Sequence, residues 1–328
     1  MKIRRWSLER FWMNGRQAEN LQEVRTDLEA INEPGFWSIV GTFEGEWTLA
    51  RFKEVREQEF ISSNSPLRIG EWRSSKTKSE YQNFVNEIRN LIATGEVYQV
   101  NACRILSAPV VEDGDLSKLF GHILNENPAP FAGYLSISGL EIASASPERF
   151  ISKNDEIILS SPIKGTSETA EFLPKDRAEN LMIVDLIRND LGRICRTGSV
   201  STPRLLATEA HPGLFHLVSD IKGALLTEIT LSEALRQVMP PGSISGAPKS
   251  SALRIIRENE GRRGPYCGVF GWSDGKRMEL SVGIRLFWKE HNQIHFGTGA
   301  GITWDSDPVS EWEETELKAR RLIALTQR

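Results

Sequence analysis

Residues 266–299 contain three strand-like runs in close succession, YCGVFGW (266–272), MELSVGIRLFW (278–288) and QIHFGTG (293–299). Their apolar and aromatic residues are typical of strands, and the Gly, Asp and Asn residues between them are typical of turns. No helix-length segment separates the runs, so they lack the strand–helix–strand rhythm from which parallel sheets are built. This region therefore predicts consecutive strands of a mixed or antiparallel sheet.

The rest of the chain mixes strands and helices in the same irregular way. Residues 36–52 (FWSIVGTFEGEWTLARF) are typical of two strands joined by a short turn. In SEYQNFVNEIRNLIA (79–93), apolar residues recur at helical spacing. We predict an α+β fold with large mixed or antiparallel sheets. The further helices are expected at 175–190, 231–238, 249–259 and 309–326.

A polar stretch, residues 54–76, contains Pro66 and Gly70 and is the best candidate for an irregular connection. We find no internal repeat, low-complexity tract or Pro/Ser-rich linker elsewhere. We therefore divide the chain into a short N-terminal segment, 1–75, that contributes strands, and a catalytic domain, 76–328.

Composition excludes several classes of function. The chain has 40 Lys and Arg against 44 Asp and Glu, a formal net charge of −4, which gives no attraction to nucleic acid or to an anionic membrane. No apolar stretch approaches the roughly 20 residues of a membrane span, so we expect a cytoplasmic protein without membrane or nucleic-acid partners. Cys103, Cys195 and Cys267 fit neither a disulfide framework nor a zinc site, so we expect three buried thiols.

Two predicted helices carry acids near their N-termini. In the helix expected at 175–190, Asp176 and Glu179 are three residues apart and share one face. Glu311 and Glu314 are placed in the same way in the last helix. Because the helix dipole alone favours acids in a first turn, solvated acids with local pairing are the simpler interpretation. If the two faces met, their oxygen atoms would suit Mg²⁺ beside an anionic substrate.

Two glycine-containing segments would let a ligand approach the backbone. PPGSISGAPKS (240–250) lacks the spacing of a phosphate-binding P-loop, but it is typical of a tight loop at a helix start, which either holds an anion or is a simple turn. GTGAG (297–301) lies between a strand and the last acidic helix. Its small residues favour close contact with a ligand, although it lacks the spacing of a dinucleotide-binding loop.

Together these segments resemble the chorismate-utilising enzymes, the family that contains component I of aminodeoxychorismate synthase and of anthranilate synthase. The matching stretches follow in family order from about residue 79 onward: YQVNACR, PFAGYLS, SASPERF, SPIKGT, DRAENLMIVDLIRNDLGRICRTGSV, HLVSDIKG, PPGSISGAPK, YCGVFGW, VGIRLF, GTGAGITWDSDP and EWEETELKAR. The resemblance implies the family's fold, in which large sheets form a sandwich with helices on the outside. It also implies an enzyme that acts on chorismate with Mg²⁺.

The resemblance assigns roles to individual positions. It implies that Glu148 protonates the departing C4 hydroxyl of chorismate, that Lys164 is a nucleophile, and that His216 lies close to the reacting ring. The substrate-binding positions that it implies are Thr166, Tyr266, Arg285, Gly299, Ala300, Gly301 and Lys318. The magnesium-binding positions are Glu179 and Glu314, with Glu311 assisting through the water shell of the ion.

Two positions favour one reaction within the family. Gln99 stands where members that form isochorismate or salicylate carry a lysine that activates water, and glutamine cannot act as that base. The chain reads P-I-K-G-T, as aminodeoxychorismate synthases do, where anthranilate synthases read P-I-A-G-T. That lysine adds at C2 in the family mechanism. Because only about one lysine in a thousand is neutral at pH 7, burial must lower the pKa of Lys164 or a base must remove its proton.

We therefore expect amination of chorismate to 4-amino-4-deoxychorismate. The ammonia would come from a separate glutaminase subunit, because no cysteine lies in a glycine-flanked nucleophile turn. The alternative within the family is anthranilate synthase component I. A non-catalytic relative that only binds chorismate is opposed by the presence of both Lys164 and Glu148. Segment 1–75 contains no LLES-type match, so we expect no tryptophan feedback pocket.

Overall fold

The computed structural model describes residues 9–63, 66–112, 114–167, 169–211 and 214–327. Strands β1 to β19 in these ranges are Arg10–Met13, Arg16–Arg25, Phe36–Gly41, Trp47–Glu57, Arg68–Ile69, Arg73–Ser74, Gln99–Glu112, Phe131–Ile137, Leu140–Ser146, Arg149–Asn154, Ile157–Ser161, Ile163–Ser167, Ser201–His211, Leu214–Ala224, Gly246–Ala247, Val269–Ser273, Arg277–Val282, Leu286–Glu290 and Gln293–Ile302. Helices α1 to α6 are Lys78–Ala93, Ser117–Glu126, Pro174–Gly192, Leu231–Val238, Lys249–Asn259 and Pro308–Leu325. Two 3₁₀-helices span Leu28–Asn32 and Gly242–Ile244.

The strands form a large antiparallel sheet. Every strand pairing in the described ranges is antiparallel. The β7–β19 ladder runs from Pro109 opposite Gln293 to Val100 opposite Ile302. N-terminal strands join the same sheet, because β1 pairs with β8 and β3 pairs with β16. The division at residue 75 stays a prediction.

Helices cover the sheet. Helix α6 packs on β19, α1 packs on β7 and α6, and α3 packs on β12 and β14. Strands β3, β8 and β16 are buried along their whole length, so both of their faces are covered. The predicted α+β fold with large antiparallel sheets is confirmed. No helix in the described part of the chain is long and apolar enough to cross a membrane.

Local sequence explains where the helices begin and which face they bury. In α1, the hydroxyl of the N-cap residue Thr77 accepts from the backbone N–H of Glu80, whose carboxylate accepts from the Thr77 N–H. This reciprocal capping box satisfies two backbone donors. The apolar residues of the predicted stripe then face the core. They include Tyr81, Phe84, Val85 and Ile88.

Several predicted elements differ from the structure. The strands β1 and β2 were not predicted, although Asn14 and Gly15, both with positive φ, form the Asn-Gly turn that joins hairpin strands. Helix α2 was also missed. It has no side-chain N-cap hydrogen bond, so the sequence carries no clear start signal. The three cysteines are free and buried, as expected.

A buried ion pair ties the sheet to its neighbouring loops. The guanidinium of Arg263 and the carboxylate of Glu260 are 2.8 Å apart, with 1% and 4% of their side chains exposed. Arg263 also donates to the carbonyl of Asn101 in β7 and lies over the ring of Phe43, 4.3 Å from its centroid. Glu260 accepts from the backbone N–H of Cys103. Because both charges are paired and hydrogen-bonded, their burial is tolerated.

Removing one member of this pair is expected to destabilise the fold. Arg263→Met leaves the Glu260 carboxylate buried without its partner, which costs about 3–5 kcal/mol of the free energy of unfolding. Chemical denaturation measures the loss. The control is Arg262→Met, since the Arg262–Glu46 pair is exposed and such pairs contribute about 1 kcal/mol or less. Equal losses for the two variants would contradict this account.

Candidate active site

Lys164 lies on β12, where the chain passes beneath α3. The residue is half-buried, and its Nζ donates to the carbonyl of Ser243, 3.0 Å away. Loss of surrounding water lowers the pKa of Lys164, and the nearby carboxylates of Glu148 and Glu179 oppose that shift. A lysine with a lowered pKa is neutral in a larger fraction of molecules, which is what a nucleophilic amine requires.

Glu148 follows β9 and is only 4% exposed. Its carboxylate interacts with the Ser243 side chain, while its Oε1 atom has no hydrogen-bond partner. Burial raises the pKa of Glu148, and the positive charges of Lys164 and Arg285 oppose the rise. The carboxyl group is therefore biased toward its protonated form, as a general acid requires.

Ser243 connects these two groups, and sequence reasoning did not single it out. Its carbonyl accepts from Lys164 and its side chain interacts with Glu148. The lysine of the same loop points elsewhere, because Lys249 Nζ lies 2.5 Å from a carboxylate oxygen of Asp190. The loop PPGSISGAPKS thus contributes Ser243 to the site, and anion binding by its backbone stays a prediction.

Arg285 supplies a positive charge near Glu148. Its backbone has φ +52°, a left-handed conformation that is uncommon for arginine. The half-buried guanidinium makes no hydrogen bond to any residue that the structure describes. Burial lowers the pKa of Arg285, and Glu148 partly offsets this. A desolvated guanidinium without a carboxylate partner is suited to hold an anionic group of a ligand.

Glycines on β19 make room for two side chains. A Cβ atom at Gly297 would lie 2.0 Å from the ring of Tyr266, and one at Gly301 would lie 2.5 Å from the amide nitrogen of Gln99. Both contacts are closer than van der Waals distance. The segment was predicted to allow close ligand approach. In the structure its glycines lie against the side chains of Tyr266 and Gln99. Ala300, between the glycines, is buried.

Gln99 is a buried polar side chain of the site that lacks hydrogen-bond partners. It is 2% exposed, and neither its amide nitrogen nor its amide oxygen has a hydrogen-bond partner. Leaving a buried polar group unpaired costs about 1–3 kcal/mol. The group is therefore placed to be satisfied by a ligand that lies against β19.

His216 and Thr166 lie opposite each other on two neighbouring strands. The two residues are register partners in the β12–β14 ladder, two positions beyond Lys164 on β12. His216 is buried. The Thr166 side chain falls outside the described part of the structure, so its predicted contact with the substrate stays a prediction.

The two acidic helices approach each other at this site. Burial raises the pKa of Glu179 on α3 and of Glu311 on α6, and the charge of Glu314 adds to both shifts. Glu314 lies 2.6 Å from Lys318 Nζ. Lys318 also donates to the carbonyl of Gly299, 3.0 Å away. Lys318 therefore joins α6 to β19, and the meeting of the two acidic faces around an ion stays a prediction.

These carboxylates supply hard oxygen ligands but do not enclose an ion. No group of three His, Cys, Asp or Glu side chains in the described ranges is arranged to hold a metal. Mg²⁺ is usually bound by one or two carboxylates together with water and substrate oxygens. Glu179 and Glu314 fit this donor set, so magnesium binding here would depend on an anionic substrate.

A family model described as chorismate binding enzyme matches residues 42–324. The chain belongs to the chorismate binding enzymes. This chorismate binding enzyme is 37% identical over 289 residues to aminodeoxychorismate synthase component 1 of Escherichia coli (strain K12), covering 84% of this chain and 63% of that protein. It is 35% identical over 269 residues to anthranilate synthase component 1 of Aquifex aeolicus, covering 77% and 54% respectively. The chain thus spans less than two thirds of these curated relatives.

Solved structures share the fold of this chorismate binding enzyme. Anthranilate synthase component I from Streptococcus pneumoniae superimposes with a TM-score of 0.82 at 22% identity, covering 98% of this chain and 95% of that one. The menaquinone-specific isochorismate synthase of Escherichia coli gives a TM-score of 0.80 at 17% identity, covering 98% and 90%. At these identities the similarity establishes the fold alone, and the predicted family fold is confirmed.

The lowered pKa of Lys164 can be measured directly. Because desolvation disfavours the charged amine, we expect its NMR titration midpoint to lie below the ordinary lysine value of about 10.4. Selective ¹⁵N-lysine labelling gives the signal, and its absence in Lys164→Met assigns it. A midpoint at or above the ordinary value would mean that the neighbouring carboxylates outweigh desolvation.

Proposed function

We propose that this chorismate binding enzyme aminates chorismate at C4 and forms 4-amino-4-deoxychorismate. The observation that carries the proposal is the half-buried amine of Lys164, which shares Ser243 with the buried acid Glu148. A protein that only binds chorismate would not need both a nucleophilic amine and a buried acid. The relatives at 37% identity named aminodeoxychorismate synthase component 1 support the same reaction.

In the proposed first step, the neutral amine of Lys164 forms a bond to C2, both ring double bonds shift by one position toward C4, and the C4–oxygen bond breaks. Glu148 gives its proton to the departing hydroxyl, which leaves as water. Ammonia then forms a bond to C4, both double bonds shift back, and Lys164 is expelled with its electron pair. The surplus proton of the new ammonium group returns to Glu148, so both residues regain their starting forms.

Substrate carboxylates are held by positive and backbone groups in this proposal. Arg285, Lys318 and the backbone of Gly299–Gly301 bind them, while Tyr266 lies near the enolpyruvyl group. Glu179 and Glu314 would hold Mg²⁺, with Glu311 assisting through the water shell of the ion. The ion, when bound, neutralises the charge of the C1 carboxylate. The remaining positions, which line the ring, are Thr166 and His216.

Ammonia is the proposed nucleophile at C4, supplied by a separate glutaminase subunit. Gln99 favours ammonia over water, because its amide cannot remove a proton from water. Both atoms of its amide are unpaired and the nitrogen lies beside Gly301 of β19, where the amide would pair with substrate or ammonia. The proposed setting is cytoplasmic synthesis of 4-aminobenzoate for folate.

The alternative reaction is that of anthranilate synthase component I. Relatives with that name are 33–35% identical to this chain. In that reaction ammonia adds at C2 and pyruvate is lost, so Lys164 would have no covalent role. The position of added nitrogen distinguishes the two reactions.

We expect the purified protein to make 4-amino-4-deoxychorismate from chorismate, Mg²⁺ and an ammonium salt. Chromatography with and without aminodeoxychorismate lyase identifies the product, because only the C4-aminated compound is converted by the lyase to 4-aminobenzoate. Lys164→Ala should abolish this product. Fluorescent anthranilate formed by the wild-type protein without the lyase would contradict the proposal.

A further inference from the structure

A cleft of about 590 Å³ opens between β6, the start of α1 and α6. Its volume lies within the range of small-molecule sites, about 300–1,000 Å³. None of the roles assigned above involves it. We call it the cationic cleft and define it by six of its lining residues. These are Trp72, Arg73, Lys78, Arg104, Trp312 and Arg320.

The interior of the cationic cleft presents two indole rings. Trp312 is held edge-on against Tyr81, with ring centroids 5.7 Å apart, and Trp72 packs near Phe287. Side chains of Leu106, Ala319 and Ile323 complete the apolar lining. Fixed indole faces bind flat rings by stacking or edge contacts.

Arg104 contributes a buried positive charge. It is 2% exposed, and its guanidinium lies over Trp312, 4.2 Å from the ring centroid. It donates to the hydroxyls of Thr315 and Ser74 and pairs with Glu316. Glu316 is the single acid among the lining residues that the structure describes. Its negative charge is already paired with Arg104.

Three further cations stand at the mouth of the cationic cleft. Arg73, Lys78 and Arg320 are exposed. Within the described ranges, none of the three forms a side-chain hydrogen bond or ion pair, whereas Lys76 donates to the carbonyl of Asn259. The whole chain carries a net charge of −4. A cluster of unpaired cations on such a protein creates a local positive potential that attracts anions.

The cationic cleft is separate from the candidate active site, although both use α6. At 3.6 residues per turn, Glu311 and Lys318 lie on one face of the helix. Trp312, Ala319 and Arg320 lie on another. No active-site residue named above lines the cleft. A ligand in the cleft would therefore not occupy the place of chorismate.

We propose that the cationic cleft binds a small aromatic carboxylate. The flat ring contacts Trp72 and Trp312, and the carboxylate is held at the mouth by Arg73 and Arg320. A phosphate ion without a ring would leave the apolar interior unused, so the combined lining favours an aromatic anion. The inference does not rest on the amination reaction, because it uses none of the residues assigned to it.

Calorimetric titration of the full chain with 4-aminobenzoate tests the proposal. We expect one molecule bound per chain and at least tenfold weaker binding in Arg73→Glu and in Arg320→Glu. The matched control is Arg257→Glu, an equal change of charge at an exposed position on α5, which should bind as the wild type does. Arg285→Ala should also retain wild-type affinity.

Four results would overturn the proposal. These are the absence of binding to the wild-type protein, wild-type affinity in both Arg73→Glu and Arg320→Glu, loss of binding in Arg285→Ala, and equal affinity for inorganic phosphate. The third would place the ligand in the candidate active site, and the fourth would mean attraction of anions without recognition of a ring. Each result is independent of whether the protein aminates chorismate.

Discussion

The long antiparallel pairing of β7 with β19 is the constraint on which the site depends. It sets Gln99, at the start of β7, beside Gly301, where a Cβ atom would displace the Gln99 amide. Helix α6 packs on β19 and carries Lys318, which donates back to the carbonyl of Gly299. The same two strands therefore position the unpaired amide of Gln99, the glycine segment of β19 and the second acidic helix. A shift in their register would move each of these groups relative to the others.

Exclusion of water has opposite and complementary effects on the two central residues. Burial raises the pKa of Glu148 and lowers the pKa of Lys164, so each is biased toward its neutral form. An acid that keeps its proton and an amine that loses one are what the proposed first step needs. Desolvated, incompletely paired groups are destabilising, and proteins commonly tolerate such costs at sites of function. The unpaired amide of Gln99 adds a cost of the same kind.

Sequence patterns predicted the regular elements better than the contacts between them. The helix predicted at 231–238 has those bounds in the structure, because a capping box at Thr230 and an amphipathic face determine it. The role of Ser243 was missed, since its contacts with Lys164 and Glu148 arise only when a distant loop folds against β12. The left-handed backbone of Arg285 and the cationic cleft likewise depend on packing between segments far apart in the chain.

Mass spectrometry of the protein mixed with chorismate and Mg²⁺, without ammonia, tests the central claim most directly. If Lys164 displaces the C4 hydroxyl, acid-quenched protein should gain the mass of chorismate less one water. The added mass should lie on the peptide that contains Lys164 and be absent from Lys164→Ala. The same adduct in Lys164→Ala, or no adduct in a wild-type protein that still aminates chorismate when ammonia is added, would contradict the account.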